Sequence, residues 1–190
     1  YDEVLTHPSV DAVVLATPVA SHYPMAKKAL EAGKHVWIEK PIANNAQEAQ
    51  NLIALSQSLK KTLFVDHTFL YNPAIQTAKA IIDSGELGEV YYFDSTRINL
   101  GLLQQDVNVV WDLAPHDLSI LNFLLDHVPH SVSAIGASHN THRLEDMAYV
   151  NFLYHDGILA HFNFNWLSPL KVRRILIGGS KKMLVYDDME

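Results

Sequence analysis

The stretch VDAVVLATPVASHYPMAKKALEAGKHVWIEKP, residues 10–41, decides the fold. VDAVVLAT (10–17) is a nearly continuous apolar run rich in Val, the pattern of a strand covered on both faces of a parallel sheet. Residues 21–32 then read as a helix. Pro24 is tolerated if it falls in the first turn, Met25, Ala29 and Leu30 form the buried side, and Gly33 is a C-terminal cap. A second strand follows at 34–38. Working outward, Asn44 or Asn45 can cap a helix over 46–58, with Ala49, Leu52, Ile53 and Leu59 as its apolar stripe, and TLFVD (62–66) is a third strand. A β-α-β-α-β order implies parallel strands and right-handed crossovers.

After Asp66 the rhythm changes. A helix is expected at about 73–83, a turn at Ser84–Gly88, a long aromatic and β-branched strand over VYYFDSTRINL (90–100), and a helix over 112–125. Strands are expected at 131–138, 147–154, 158–166, 172–178 and 183–187. In ILAHFNFNW (158–166) the residues Ile158, Ala160, Phe162, Phe164 and Trp166 alternate with Leu159, His161, Asn163 and Asn165, the period of an antiparallel strand with unequal faces. The fold class is therefore α/β over 1–67, followed by an α+β domain over 68–190 with a largely antiparallel open sheet.

The 190 residues are 48% hydrophobic and 18% charged, an ordinary globular composition. A net charge of −7 and no run of Lys or Arg longer than two disfavour a nucleic-acid groove. No apolar run is long enough to cross a bilayer and no signal peptide is visible at Tyr1, so no membrane partner is expected. The absence of cysteine removes thiolate metal sites and thiol nucleophiles and suits a reducing, cytoplasmic setting.

Chemistry-bearing residues gather where strands and helices end. In open α/β sheets ligands sit beyond the carboxyl ends of the strands. ATPVASH (16–22), Glu39-Lys40-Pro41 and His67 all take that position. Taken alone, Glu39-Lys40-Pro41 is an ordinary surface turn in which Pro41 ends the ladder. At the tip of a buried strand, however, a lysine beside another cation or in a partly dry site can exchange a proton with a substrate hydroxyl, and Glu39 can fix Lys40 or bind a ribose hydroxyl. In WDLAPHDL (111–118), Asp112 is expected to cap a helix, with Pro115 in the first turn and His116 four residues on along the same face. The helix dipole would then favour a neutral, proton-accepting His116, with Asp112 pulling the other way. A capping Asp and a structural His explain the motif equally well. HTFLYNPAI (67–75), Arg97, Asn99 and Asn108 carry groups suited to a polyhydroxylated ligand, though each also reads as turn, strand or cap. Among eleven histidines there is no HExxH, and His127/His130 and His139/His142 lie in loops without thiolate support, so no metal is expected. No GxGxxG or Walker sequence occurs.

Together, ATPxxxH (16–22), an apolar strand running into EKP (39–41), GELGEV (85–90) and WDLAPHDL (111–118) resemble the glucose-fructose oxidoreductase, inositol dehydrogenase and MocA family (Gfo/Idh/MocA) over essentially the whole chain. HTFLYNPAI through TRINLGLLQQDVNVVWDLAPHD is most similar to the branch that oxidises UDP-N-acetylhexosamines or their uronic acids at the sugar 3-position. The resemblance implies part of a Rossmann dinucleotide-binding domain over 1–67 and a substrate-binding and oligomerisation domain over 68–190. It implies Lys40 between nicotinamide and substrate, His116 as acid/base and Asp112 as its catalytic neighbour. Thr17, Pro18, His22, Glu39, Lys40 and Pro41 would line NAD or NADP, and Tyr71, Asn72, Arg97, Asn99 and Trp111 would meet the sugar nucleotide. The implied protein is an NAD(P)-dependent sugar or sugar-nucleotide dehydrogenase, a homo-oligomer of two or four subunits, moving a hydride from a carbinol carbon to the nicotinamide. An NAD-dependent glycosidase and a non-catalytic binding protein share the fold. Intact Lys40, Asp112 and His116 disfavour the latter. The family's glycine-rich first β-α turn should precede Tyr1, so the chain is expected to belong to a longer one that supplies the pyrophosphate site.

Overall fold

The computed structural model describes residues 1–100, 104, 106–139 and 143–189. The chain divides into two compact units, residues 1–67 and 68–190, each of which has its own sheet.

In the first unit, α1 (Asp2–Thr6) is followed by β1 (Ala12–Leu15), α2 (Val19–Glu31), β2 (His35–Glu39), α3 (Ala46–Ser58) and β3 (Leu63–Asp66). The strands form a parallel sheet in the order β1-β2-β3, with Leu15 level with Ile38 and Ile38 level with Val65. Both crossovers run the same way along the sheet, so right-handedness lays α2 and α3 on one face. Val13, Leu15, Val36 and Ile38 are buried there with Ala26, Ala29, Leu30 and Leu52. Val14, on the opposite face, is 62% exposed. Among the described residues α2 and α3 cover one face of β1.

Helix ends account for further differences from the sequence reading. α2 starts at Val19, which puts Pro24 beyond the first turn, where it withholds a hydrogen bond from the Ala20 carbonyl. The helix closes as expected on Gly33, at φ +75°: Gly33 N–H donates to the Leu30 carbonyl (2.9 Å) and Lys34 N–H to the Ala29 carbonyl (3.0 Å). Asn45 caps α3, its Oδ1 accepting from Glu48 N–H at 2.9 Å. The buried stripe of α3 runs through Leu52 and Ser56 with Leu55 beside them, which turns Ile53 outward and leaves Leu59 past the last turn, both exposed.

In the second unit a 3-10 turn (Thr68–Tyr71) and α4 (Pro73–Asp83) precede β4 (Val90–Ile98), α5 (Val109–Leu125), β5 (Ser131–Ala137), β6 (Met147–Leu153), β7 (Leu159–Asn165), β8 (Val172–Gly179) and β9 (Met183–Asp187). The sheet order is β5-β6-β7-β4-β8-β9. Every neighbouring pair is antiparallel except β4 and β7, so β7 has one antiparallel and one parallel neighbour. The expected alternation holds: Ile158, Ala160, Phe162, Phe164 and Trp166 are all buried, packed with Phe93 and with Ile75, Ile120 and Leu124 from α4 and α5. The Phe162 ring lies 5.7 Å from Phe93, 5.3 Å from Phe152 and 5.8 Å from Phe164. The turn after α4 uses Gly88 at φ +78°, where a Cβ would meet Ser180 and Lys181, and Ser180 Oγ accepts from Glu89 N–H at 3.0 Å.

Phe162 touches three rings and is wholly buried, so Phe162→Ala is expected to cost about 3–5 kcal/mol in urea unfolding. A loss below about 1 kcal/mol would show that this face of the sheet does not carry the core.

Candidate active site

In the first unit the three parallel strands end side by side, with Glu39 opposite Asp66 as the last paired position. Thr17, Lys40 and His67 lie just beyond those ends, so one edge of the sheet collects a hydroxyl, an ammonium and an imidazole. The Thr17 hydroxyl accepts from Ser21 Oγ at 2.7 Å. Pro18 is exposed, whereas Glu39, Lys40 and Pro41 are half-buried, and the Lys40–Pro41 peptide is cis. His22 has a different place from the one implied for it. It is 1% exposed, with Nδ1 2.8 Å from the Pro41 carbonyl and Nε2 2.8 Å from the Thr17 carbonyl. It thereby joins the loop after β1 to the loop after β2. His67 Nδ1 is buried without a hydrogen-bond partner. Burial pushes the His67 pKa below its ordinary value, against the opposing charge of Asp66. An unpartnered buried nitrogen directly after Asp66, which pairs with Glu39 at the carboxyl end of the sheet, fits a polar ligand such as the ribose or carboxamide of a nicotinamide nucleotide.

In the second unit α5 begins at Val109, and its cap is Asn108 rather than Asp112. Asn108 Oδ1 accepts from Trp111 N–H at 2.9 Å, and its amide donates to Glu145 Oε2 at 2.9 Å. That hydrogen bond holds the Glu145 carboxyl below the usual carboxylate range. Pro115 and His116 consequently sit beyond the first turn, where the helix dipole has faded, and the expectation of a dipole-neutralised His116 is withdrawn. Asp112 and His116 remain one turn apart on one face, both half-buried like Trp111.

Arg97 was implied for substrate, yet its side chain points into the core. Nε lies 3.0 Å and Nη2 2.7 Å from Asp117 Oδ1, and both side chains are buried. Its guanidinium carbon lies 4.7 Å from the centre of the Phe69 ring, whose centroid is 5.0 Å from that of His116. Asn72 caps α4, Oδ1 accepting from Ala74 N–H at 2.8 Å, while its amide donates to Tyr186 Oη at 3.4 Å. Tyr71 is exposed and, with Thr68, Phe69 and Asn72, lines a cavity of about 290 Å³. Asn99 is half-buried at the end of β4, its N–H donating to the Asn165 carbonyl at 3.0 Å. Asp117 has no role in the sequence reading, and Phe69 enters it only within HTFLYNPAI. The available signal was Arg97 itself, which shares the core-facing phase of β4 with Phe93 and Ser95 and so demands a buried acid.

His139 Nδ1 lies 2.9 Å from Asp146 Oδ1, and His142 is outside the described residues. Among the described residues no group of three or more potential metal ligands occurs. No helix among them is long and apolar enough to cross a membrane.

Residues 1–67 match the oxidoreductase family with the NAD-binding Rossmann fold (GFO_IDH_MocA), and residues 75–185 match the GFO/IDH/MocA C-terminal domain. The chain belongs to the Gfo/Idh/MocA family of oxidoreductases. It is 31% identical over 169 residues to UDP-N-acetylglucosamine 3-dehydrogenase from Acidithiobacillus ferrooxidans, covering 88% of this chain and 52% of that protein. It is also 31% identical over 171 residues to scyllo-inositol 2-dehydrogenase (NAD(+)) from Bacillus subtilis, covering 86% and 48%. The solved structure of UDP-N-acetylglucosamine 3-dehydrogenase GnnA from Acidithiobacillus ferrooxidans superposes with a TM-score of 0.85 at 29% identity, over 98% of this chain and 59% of that one. The chain spans about half the length of these curated relatives.

Because the folded-state pKa of His67 is lowered, the unfolded chain binds more protons near and below pH 6.5. The corresponding stability is present above about pH 6.5 and is lost as pH falls through that value towards the folded pKa. His67→Gln is therefore expected to lose less unfolding free energy than the parent between about pH 7 and pH 5. Parallel pH curves would remove His67 as the responsible group.

Proposed function

We propose that the protein is an NAD(P)-dependent dehydrogenase that oxidises a hydroxyl of a sugar or sugar nucleotide, with the 3-position of a UDP-N-acetylhexosamine as the best-supported target. The observation that carries this reading is the pair Asp112 and His116, one turn apart on α5 beside a ring and a buried ion pair. When bound, the nicotinamide nucleotide supplies the hydride acceptor. In the first unit Thr17, Pro18, Glu39, Pro41 and His67 hold it, and Lys40 donates to the substrate oxygen. In the second unit His116 accepts the hydroxyl proton and Asp112 stabilises the resulting imidazolium. Carbinol carbon and oxygen thus lose a hydride and a proton, leaving a ketone. Tyr71, Asn72, Asn99 and Trp111 are assigned to sugar-nucleotide contacts, Tyr71 and Asn72 through the cavity they line. The relative that acts on UDP-N-acetylglucosamine supports the sugar-nucleotide target, and the equally similar inositol dehydrogenase supports a cyclitol as the second reading. A cytoplasmic setting accords with a chain that has no cysteine.

The full-length protein, given NAD with UDP-N-acetylglucosamine or an inositol, is expected to accumulate NADH on the first while its glycosidic bond stays intact. Released UDP without net NADH would favour the glycosidase. Lys40→Met is expected to lower kcat by about 10²-fold or more while NAD affinity stays within a few-fold, and near-normal turnover would remove Lys40 from the mechanism.

We also propose self-association through the sheet face opposite α4 and α5. Ile135, Tyr149, Leu153 and Leu159 are exposed there among polar neighbours such as Asn163 and His161. Light scattering should report a dimer or tetramer, and Ile135→Glu should shift it towards monomer. A monomeric parent protein would refute the assignment.

A further inference from the structure

The second unit contains a closed circuit of contacts around His116. Asp117, its neighbour in sequence, grips Arg97 of β4 through both Nε and Nη2. The guanidinium carbon of Arg97 then lies 4.7 Å from the Phe69 ring centre. Phe69 returns to His116, the two rings 5.0 Å apart and inclined at 68°. The members come from three separate pieces of backbone: the 3-10 turn, β4 and α5.

Two features of this circuit are more than packing. Arg97 is only 3% exposed, and a buried guanidinium held in a bidentate fork has its plane fixed. A flat cation over an aromatic face in turn resists tilting of that ring, because both the ring quadrupole and the stacked area favour the parallel approach. Phe69 therefore presents His116 with a surface whose angle is set by Arg97 of β4. A histidine that must accept a proton at one geometry needs its ring plane held, since its terminal torsion is otherwise broad.

We propose that Phe69, clamped by the Arg97–Asp117 pair, is a positioning residue that fixes the ring plane of His116 for proton transfer. This rests on His116 being the proton acceptor. Phe69 also lines the cavity shared with Tyr71 and Asn72, so the signature of positioning is a slower chemical step at saturating substrate that depends on His116. Arg97 thereby acquires a role other than contacting the sugar nucleotide: it serves the acid–base residue through a ring.

The test is a double-mutant cycle in the full-length protein with single-turnover detection of NADH. At saturating substrate, Phe69→Leu is expected to lower the rate of the chemical step about tenfold with KM for the cofactor within twofold, and Phe69→Tyr, which keeps the ring, to restore it. In a His116→Gln background, Phe69→Leu should cost less than about twofold, because a ring that acts through His116 has nothing left to position. An undiminished tenfold loss in that background, or an equal loss in Phe69→Tyr, would overturn the proposal and mark Phe69 as structural. Full turnover of His116→Gln alone would instead sink the assignment of His116, and the proposal with it. If Phe69→Leu does not fold, Phe69→Met in the same cycle decides between these outcomes.

Discussion

The ion pair between Arg97 and Asp117 is the constraint on which the second unit depends. Two opposite charges removed from water gain little net stability, since the desolvation cost offsets much of their attraction. What such a pair imposes is uniqueness. Asp117 and Arg97 satisfy each other in only one rotation of α5 against β4, because a slip of one residue would strand a charge among Phe93, Phe162 and Phe164. That rotation decides which face of α5 carries Asp112 and His116. The acid–base pair is thus oriented by a contact between residues that take no part in the proton transfer proposed for it.

The first unit reaches the same end by topology. Its parallel strands leave the sheet in one direction, and two right-handed crossovers return the chain over a single face. Thr17, Lys40 and His67 are therefore neighbours along an edge although more than twenty residues separate each from the next. His22 reinforces the arrangement, since a buried imidazole lying between the carbonyls of Thr17 and Pro41 fixes the spacing of two loops that the strands alone would leave free. The histidine of ATPVASH is accordingly part of the scaffold that spaces these loops.

Much of the fold was legible in the sequence because each element states its own period. The Val-rich run at 12–15, the alternation at 158–166 and the Asn72-Pro73 start of α4 are local signals, read without any partner. What could not be read were choices decided by residues far away. WDLAPHDL offers Asp112 as a plausible cap, yet Asn108 wins because its amide also meets Glu145, thirty-seven residues downstream. The candidate site divides along the same line. Lys40, Asp112 and His116 stand out by position and spacing, whereas Phe69 and Asp117 are ordinary letters until β4 is laid beside α5. Arg97 was visible but assigned outward, because a lone arginine in a strand gives its phase only when the alternation with Phe93 and Ser95 is followed through.

The shift of the α5 start also changes what kind of histidine His116 is. A residue in a first turn takes its electrostatics from the helix end, and those are exposed to salt and solvent. A residue one turn deeper, past Pro115, lies among side chains instead: Asp112 one turn away on its own face and Phe69 from the 3-10 turn, with Arg97 over that ring. Side-chain surroundings are set residue by residue, so they can differ between members of one family that share the same helix. Specialisation among Gfo/Idh/MocA proteins would then be sought in the ring and ion pair behind the histidine as much as in the residues that contact the sugar.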